Sequence, residues 1–104
     1  MTFTPHILAE VQLLKTTEGG REQPTPPDYF SCSVGKVAEY WEMRMDLRGT
    51  GSLSPGSTAQ VPIQFMRPEY ILMWLGVGAM FSISEIGTPG NGKVIGSGKV
   101  LEIL

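Results

Sequence analysis

An all-β chain closed into a small six-stranded antiparallel barrel is the fold this sequence predicts, on three observations. Apolar and polar residues alternate with period two in short runs, and no long window carries a capped helical period. Thirteen glycines and eight prolines sit largely between those runs, where turns are needed. The 104 residues suffice for one domain, and six short strands in that length favour closure, which removes exposed edges.

The first strand runs from Ile7 to Leu14, with Ile7, Ala9, Val11 and Leu13 on one face. It stops at Glu18-Gly19-Gly20-Arg21, where paired glycines permit a tight turn. Residues 22–28 hold Pro24, Pro26 and Pro27 and read as a stiff extended connector. A second strand occupies Tyr29 to Ser33, and a third Val37 to Met45, with Trp41, Met43 and Met45 sharing a face. Leu47 to Ser57 is a loop with three glycines and Pro55. Ala59, Val61, Ile63 and Phe65 form the inward face of a fourth strand, in which Pro62 marks an edge or a bulge. Phe81 and Ile83 anchor the fifth strand, Thr88 to Gly92 makes a turn, and Lys93 to Leu104 is the last strand. Gly96 and Gly98 inside that strand indicate a bend or the close approach of another backbone.

Composition narrows the chemistry. Eight basic against ten acidic residues give a formal charge of −2, without the basic excess of a general nucleic-acid binder. One cysteine excludes an internal disulfide, and one histidine excludes a two-histidine metal site. Residues 1–6 have neither the basic nor the apolar region of a signal peptide, so none is expected, and the longest apolar run, Tyr70 to Phe81, is shorter than the about 17–25 residues of a helical membrane span. That run, with its two glycines, reads as a loop entering a strand. The expectation is a cytoplasmic protein, with residues 1–5 a flexible terminus, residues 6–104 the barrel, and no membrane contact.

Two features imitate catalytic machinery. Gly87 to Lys93 spells the first seven positions of a phosphate-binding loop, but Val94 replaces the magnesium-ligating hydroxyl and strand-like residues follow where a helix is required. It reads as a hairpin turn, with no nucleotide and no other cofactor. Cys32 and His6 are the sole thiol and imidazole. Cys32 reads as a buried mid-strand residue and His6 as a surface residue near a frayed terminus. No catalytic residue, metal site or enzyme activity is expected.

The ordered turns resemble the C-terminal (third) domain of bacterial elongation factor Tu. The residues are Glu10-Val11 with Leu13-Leu14 and Glu18-Gly19-Gly20-Arg21; Tyr29-Phe30; Leu53-Ser54-Pro55-Gly56; Pro68; Phe81 to Glu85; Gly92 to Val100; and Ile103-Leu104. They span residues 6 to 104 in order. The resemblance implies a six-stranded antiparallel barrel, detached from the GTPase and second domains. In that family the domain also touches tRNA, partly through an arginine-bearing segment before the second strand and an Arg-Glu-Gly-Gly segment. Here the first is replaced by Glu22 to Asp28, and the second reads Ser84-Glu85-Ile86-Gly87, without arginine. Phosphate contacts need cations or free backbone N–H groups, so tRNA is not expected as a partner, and Glu85 and Lys93 are the residues left as RNA candidates.

Two surfaces remain as candidates for contact with a protein partner or a second copy. Glu18, Gly19, Gly20 and Arg21 match a turn near the GTPase-domain interface of the resembling family. Tyr70, Met73 and Trp74 belong to types enriched in interface cores. The alternative is that this run folds over one barrel mouth and buries Ile71, Leu72 and Leu75. The functional expectation is a non-enzymatic protein-binding module. Its alternatives are a residual tRNA- or RNA-binding translation-associated factor, or an immunity or inhibitor protein against a toxin that depends on the translation factor.

Overall fold

The computed structural model describes residues 3–36, 39–85 and 93–104. Six strands form within them: β1 Ile7–Leu13, β2 Tyr29–Lys36, β3 Glu39–Asp46, β4 Thr58–Phe65, β5 Met80–Ser84 and β6 Val94–Ile103. All pair antiparallel in the order β1-β4-β3-β2-β5-β6, and β6 returns to β1 to close the barrel. The second strand extends beyond Ser33 to Lys36, and β3 runs on to Asp46. The expected start of β3 at Val37, the turn at residues 88–92 and most of the phosphate-loop-like run lie outside the described residues.

Alternation decides what fills the barrel. Ile7, Ala9, Val11 and Leu13 of β1 are buried, as are Phe30, Cys32 and Val34 of β2 and Met43 and Met45 of β3. Val61, Ile63 and Phe65 of β4, Phe81 and Ile83 of β5, and Ile95 and Val100 of β6 complete the interior. Each of these larger aliphatic or aromatic side chains contributes about 1.5–3 kcal/mol by leaving water.

Barrel diameter falls with strand number, so six strands leave a narrow lumen. Gly96 and Gly98 of β6 make the needed room. A Cβ on Gly98 would overlap the ring of Phe81, its partner across β5, and one on Gly96 would overlap the Gln12 carbonyl of β1. The sheet also bends at the register shift between Ile83 and Ser84, where Ile83 faces Gly96 while Ser84 faces Val94. Ile95 is the extra residue there, and the bulge turns it inward beside Gly96.

Pro62 lies within a closed sheet, not at an edge. The Ile63 carbonyl turns toward β1 and accepts the His6 N–H at 2.8 Å, so alternation turns the Pro62 nitrogen toward β3. Pairing of β3 with β4 ends at Met45↔Ile63, one position short of the proline. The missing donor therefore falls where the ladder has stopped.

Strand direction sorts the connections between two ends. The last residues of β1, β3 and β5 lie at one end, which we call the polar end. The last residues of β2 and β4, the start of β1 and the end of β6 lie at the other. β1 and β2 are not neighbours, nor are β4 and β5, so residues 14–28 must cross one end and residues 66–79 the opposite one. Both barrel mouths are covered for that topological reason.

Gly98→Ala is expected to lower stability by about 1–3 kcal/mol through overpacking against Phe81. Urea unfolding measures it, and adding Phe81→Leu to Gly98→Ala is expected to recover part of the loss; a neutral Gly98→Ala would contradict this packing.

Candidate functional site

The residues singled out in the sequence divide between the two ends. Glu18, Gly19, Gly20, Arg21, Glu85 and Lys93 gather at the polar end, drawn from the β1–β2 connector and the residues flanking β5 and β6. Tyr70, Met73 and Trp74 lie at the opposite end, so no single surface unites the two groups.

At the polar end, Thr16–Glu18 form one short helical turn, closed by Gly19 in the left-handed conformation at φ 94°. The Lys15 N–H donates to the Glu18 carboxylate at 2.9 Å, and the Gly20 N–H donates to the Lys15 carbonyl at 3.0 Å. Gly20 is buried against the Leu14 and Lys15 carbonyls, where a Cβ has no room. This explains the second glycine of the pair by close approach, not by a positive φ.

Arg21 then reaches across the barrel mouth. Its guanidinium pairs with the Glu85 carboxylate, lies 5.0 Å from the centre of the Phe30 ring, and donates from Nε to the Gln23 carbonyl at 3.1 Å. Lys93 Nζ donates to the Gly20 carbonyl at 2.9 Å. Both ends of the segment between β5 and β6 are thus clasped to the glycine turn. The arrangement pairs Arg21 with Glu85 and ties connectors together.

Thr25 is part of the same end and was not legible as such in the sequence. It is buried, its Oγ1 accepts the Leu53 N–H at 2.8 Å, and its own N–H donates to the Leu53 carbonyl at 3.0 Å. These bonds dock the proline-rich connector onto the β3–β4 loop. Arg48 in that loop pairs with Asp46 at 2.9 Å and lies 5.0 Å from the Tyr29 ring centre. The hydrogen bonds from Arg48 hold the Asp46 carboxyl below its ordinary range. Lys99 stands apart on the barrel wall, opposite Glu10 of β1.

At the other end, residues 66–79 form a cap. Pro68–Ile71 make a single helical turn, where a loop was expected, and Pro68 suits its first position because a first-turn N–H has no helical partner. Ile71 and Leu75, four residues apart, point inward and are buried. Leu72 departs from expectation: it follows the helical turn as its C-cap and is 37% exposed. Tyr70 is 48% exposed and Met73 82%, while Trp74 is half-buried against the core. The run is therefore neither wholly core nor wholly surface.

Trp41 completes this end. It continues the inward face of β3 and stacks beneath Tyr70, with ring centres 5.1 Å apart and planes 17° from parallel. Tyr70 therefore packs one ring face on Trp41 and leaves the other outward. The strand parity of Trp41 was readable in the sequence, but its pairing with a residue 29 positions later depends on the crossover of the cap. Val77 and Met80, beyond the residues first singled out, add apolar surface at 69% and 62% exposure.

His6 is fixed, not frayed. Its Nδ1 accepts the Phe65 N–H at 3.0 Å, its ring stacks on Phe65, and its carbonyl accepts the Leu104 N–H at 2.9 Å. Cys32 is buried, and burial pushes its thiol well above the ordinary value of 9.0, with the Arg21 charge opposing and Glu85 adding to the shift. Among the described residues, no group of three or more His, Cys, Asp or Glu could hold a metal ion. No described helix is long and apolar enough to cross a membrane. No protein-family model matches the chain.

Three outcomes follow, one for the polar end and two for Cys32. A double-mutant cycle of Arg21→Ala and Glu85→Gln, read by urea unfolding, is expected to give a coupling of about 0.2–1 kcal/mol, as for partly exposed ion pairs; zero coupling would remove the clasp. The Cys32 thiol is expected to resist thiol reagents until denaturant is added. Its raised pKa in the folded chain also means that its contribution to stability is complete below the ordinary thiol value of 9.0 and declines above it, because the unfolded chain releases the proton first. Unfolding of wild type and Cys32→Ala at rising pH checks the sign.

Proposed function

We propose that this chain is a non-enzymatic protein-binding module of the cytoplasm, built on a barrel similar to the third domain of elongation factor Tu and meeting its partner through the capped end. The observation that carries this reading is the exposure of Met73, at 82%, beside Tyr70 on a cap whose other side chains, Ile71 and Leu75, anchor it to the core. Anchored aromatic and thioether side chains offer apolar area with little ordering cost on binding. An exposed apolar cluster of this kind is characteristic of contact surfaces.

The closed six-stranded barrel and the ordered turns support the likeness to the translation-factor domain. In this reading the Glu18–Arg21 turn, which faces another domain in that family, is retained as an internal clasp of the polar end. The charges there also favour a protein partner over tRNA. Arg21 and Arg48 are each paired with a carboxylate, which leaves less cationic character for phosphate.

Affinity capture from lysate with immobilised wild type, Met73→Asp and Tyr70→Ala tests the reading. Met73→Asp is expected to keep the wild-type melting temperature and to lose at least tenfold of the retained partner. Tyr70→Ala is expected to lose partner and also about 0.5–1.5 kcal/mol of stability through the stack on Trp41. Retention unchanged by Met73→Asp would rule out the capped end as the contact surface.

A further inference from the structure

The sulfur atoms of this chain divide sharply between inside and outside. Met43 and Met45 of β3 and the lone thiol, Cys32 of β2, are at 0% exposure. Met73 is 82% exposed, Met80 62% and Met66 36%. These last three share one end: Met66 directly follows β4, Met73 lies in the cap and Met80 opens β5. Among the described residues, every exposed thioether is therefore on or beside the cap.

The exposure of Met73 is set by the backbone on either side of it. The Leu72 N–H donates to the Pro68 carbonyl at 2.9 Å, and the Trp74 N–H donates to the Ile71 carbonyl at 3.1 Å. Met73 is two positions from each of the buried anchors, Ile71 and Leu75, which turns it to the opposite face. A thioether sulfur carries a lone pair and no proton, so it reacts with peroxides without first ionising. A thiol reacts as its thiolate. Cys32 is enclosed, and burial keeps it protonated. The group that ordinarily competes for such an oxidant is thus withdrawn from the surface.

We propose that Met73 and Met80 form an oxidation site on the capped end, which takes an oxygen atom from a hydroperoxide while the barrel beneath stays folded. A sulfur lone pair attacks the peroxide oxygen, the S–O bond forms as the O–O bond breaks, and with hydrogen peroxide the leaving group departs as water. The sulfur is oxidised to the sulfoxide, and the peroxide is reduced. The new polar group lies in solvent, so it alters the surface of the cap without entering the core. A methionine sulfoxide reductase reverses the step: a pair of thiols is oxidised to a disulfide, the oxygen leaves as water, and the thioether returns.

Dilute hydrogen peroxide added to the native chain, followed by peptide mass mapping, tests the site. Met73 and Met80 are expected to gain oxygen about tenfold faster than Met43 and Met45, which react only when the core opens. Cys32 is expected to stay reduced until denaturant is added. With Met73 and Met80 fully oxidised, the circular-dichroism melt is expected to be unchanged and retention on a hydrophobic-interaction column to fall. Reductase with dithiothreitol is expected to restore that retention. The double variant Met73→Leu, Met80→Leu keeps an apolar cap and is expected to hold its retention in peroxide. Oxidation of Met43, Met45 or Cys32 as fast as Met73, or a melt that drops in step with Met73 oxidation, overturns the proposal. So does a double variant that loses retention as wild type does. The step needs no partner, so these outcomes are independent of the contact-surface reading, which stands or falls on lysate capture with Met73→Asp.

Discussion

Closure of β6 onto β1 is the constraint from which the other features descend. A six-stranded barrel has little internal volume, and the final pairing brings the β6 backbone close to β1 on one side and to the Phe81 ring on the other. Gly96 and Gly98 remove the two side chains that would obstruct it, and the bulge at Ile95 restores a buried aliphatic group beside the gap. With the sheet closed, no edge is left to template aggregation, and even Pro62 can sit in a strand interior because the β3 ladder has already ended beside it.

Closure also assigns the loops. The strand order requires one long connection over each mouth, and the sequence has equipped the two differently. Over one mouth, prolines, glycines and polar side chains form a network of short-range hydrogen bonds, the Arg21–Glu85 pair and the Thr25–Leu53 bonds. Over the other, the cap of residues 66–79 inserts Ile71 and Leu75 and leaves Tyr70 and Met73 outside. The two ends therefore differ: one is tied together by hydrogen bonds and an ion pair, and the other leaves apolar side chains exposed, which is the basis of the proposed contact surface.

Much of this was legible in the residues. Period-two runs gave the inward faces of β1, β3 and β4 correctly, because a strand's side chains alternate whatever its neighbours are. The double glycine after β1 and the glycines of β6 were readable as sites of constrained backbone. The cap was less legible. Tyr70 to Leu75 is almost uniformly apolar, so its pattern carries no contrast from which to choose Ile71 and Leu75 as the buried pair and Leu72 as a partly exposed residue. His6 was misplaced for a related reason: its anchors, the Phe65 N–H and the Leu104 N–H, come from strands 59 and 98 positions away.

The sequence by itself determined the strand content, the inward faces, the turns and the absence of a basic excess, since each depends on local conformation or on summed charge. Tertiary structure alone decided which glycines are obligatory for close approach and why Arg21 serves as a clasp. It also decided that Trp41 underlies Tyr70 and that the candidate residues separate onto opposite ends. Those properties depend on which strands become neighbours when the sheet closes, and chain spacing does not encode that distance directly.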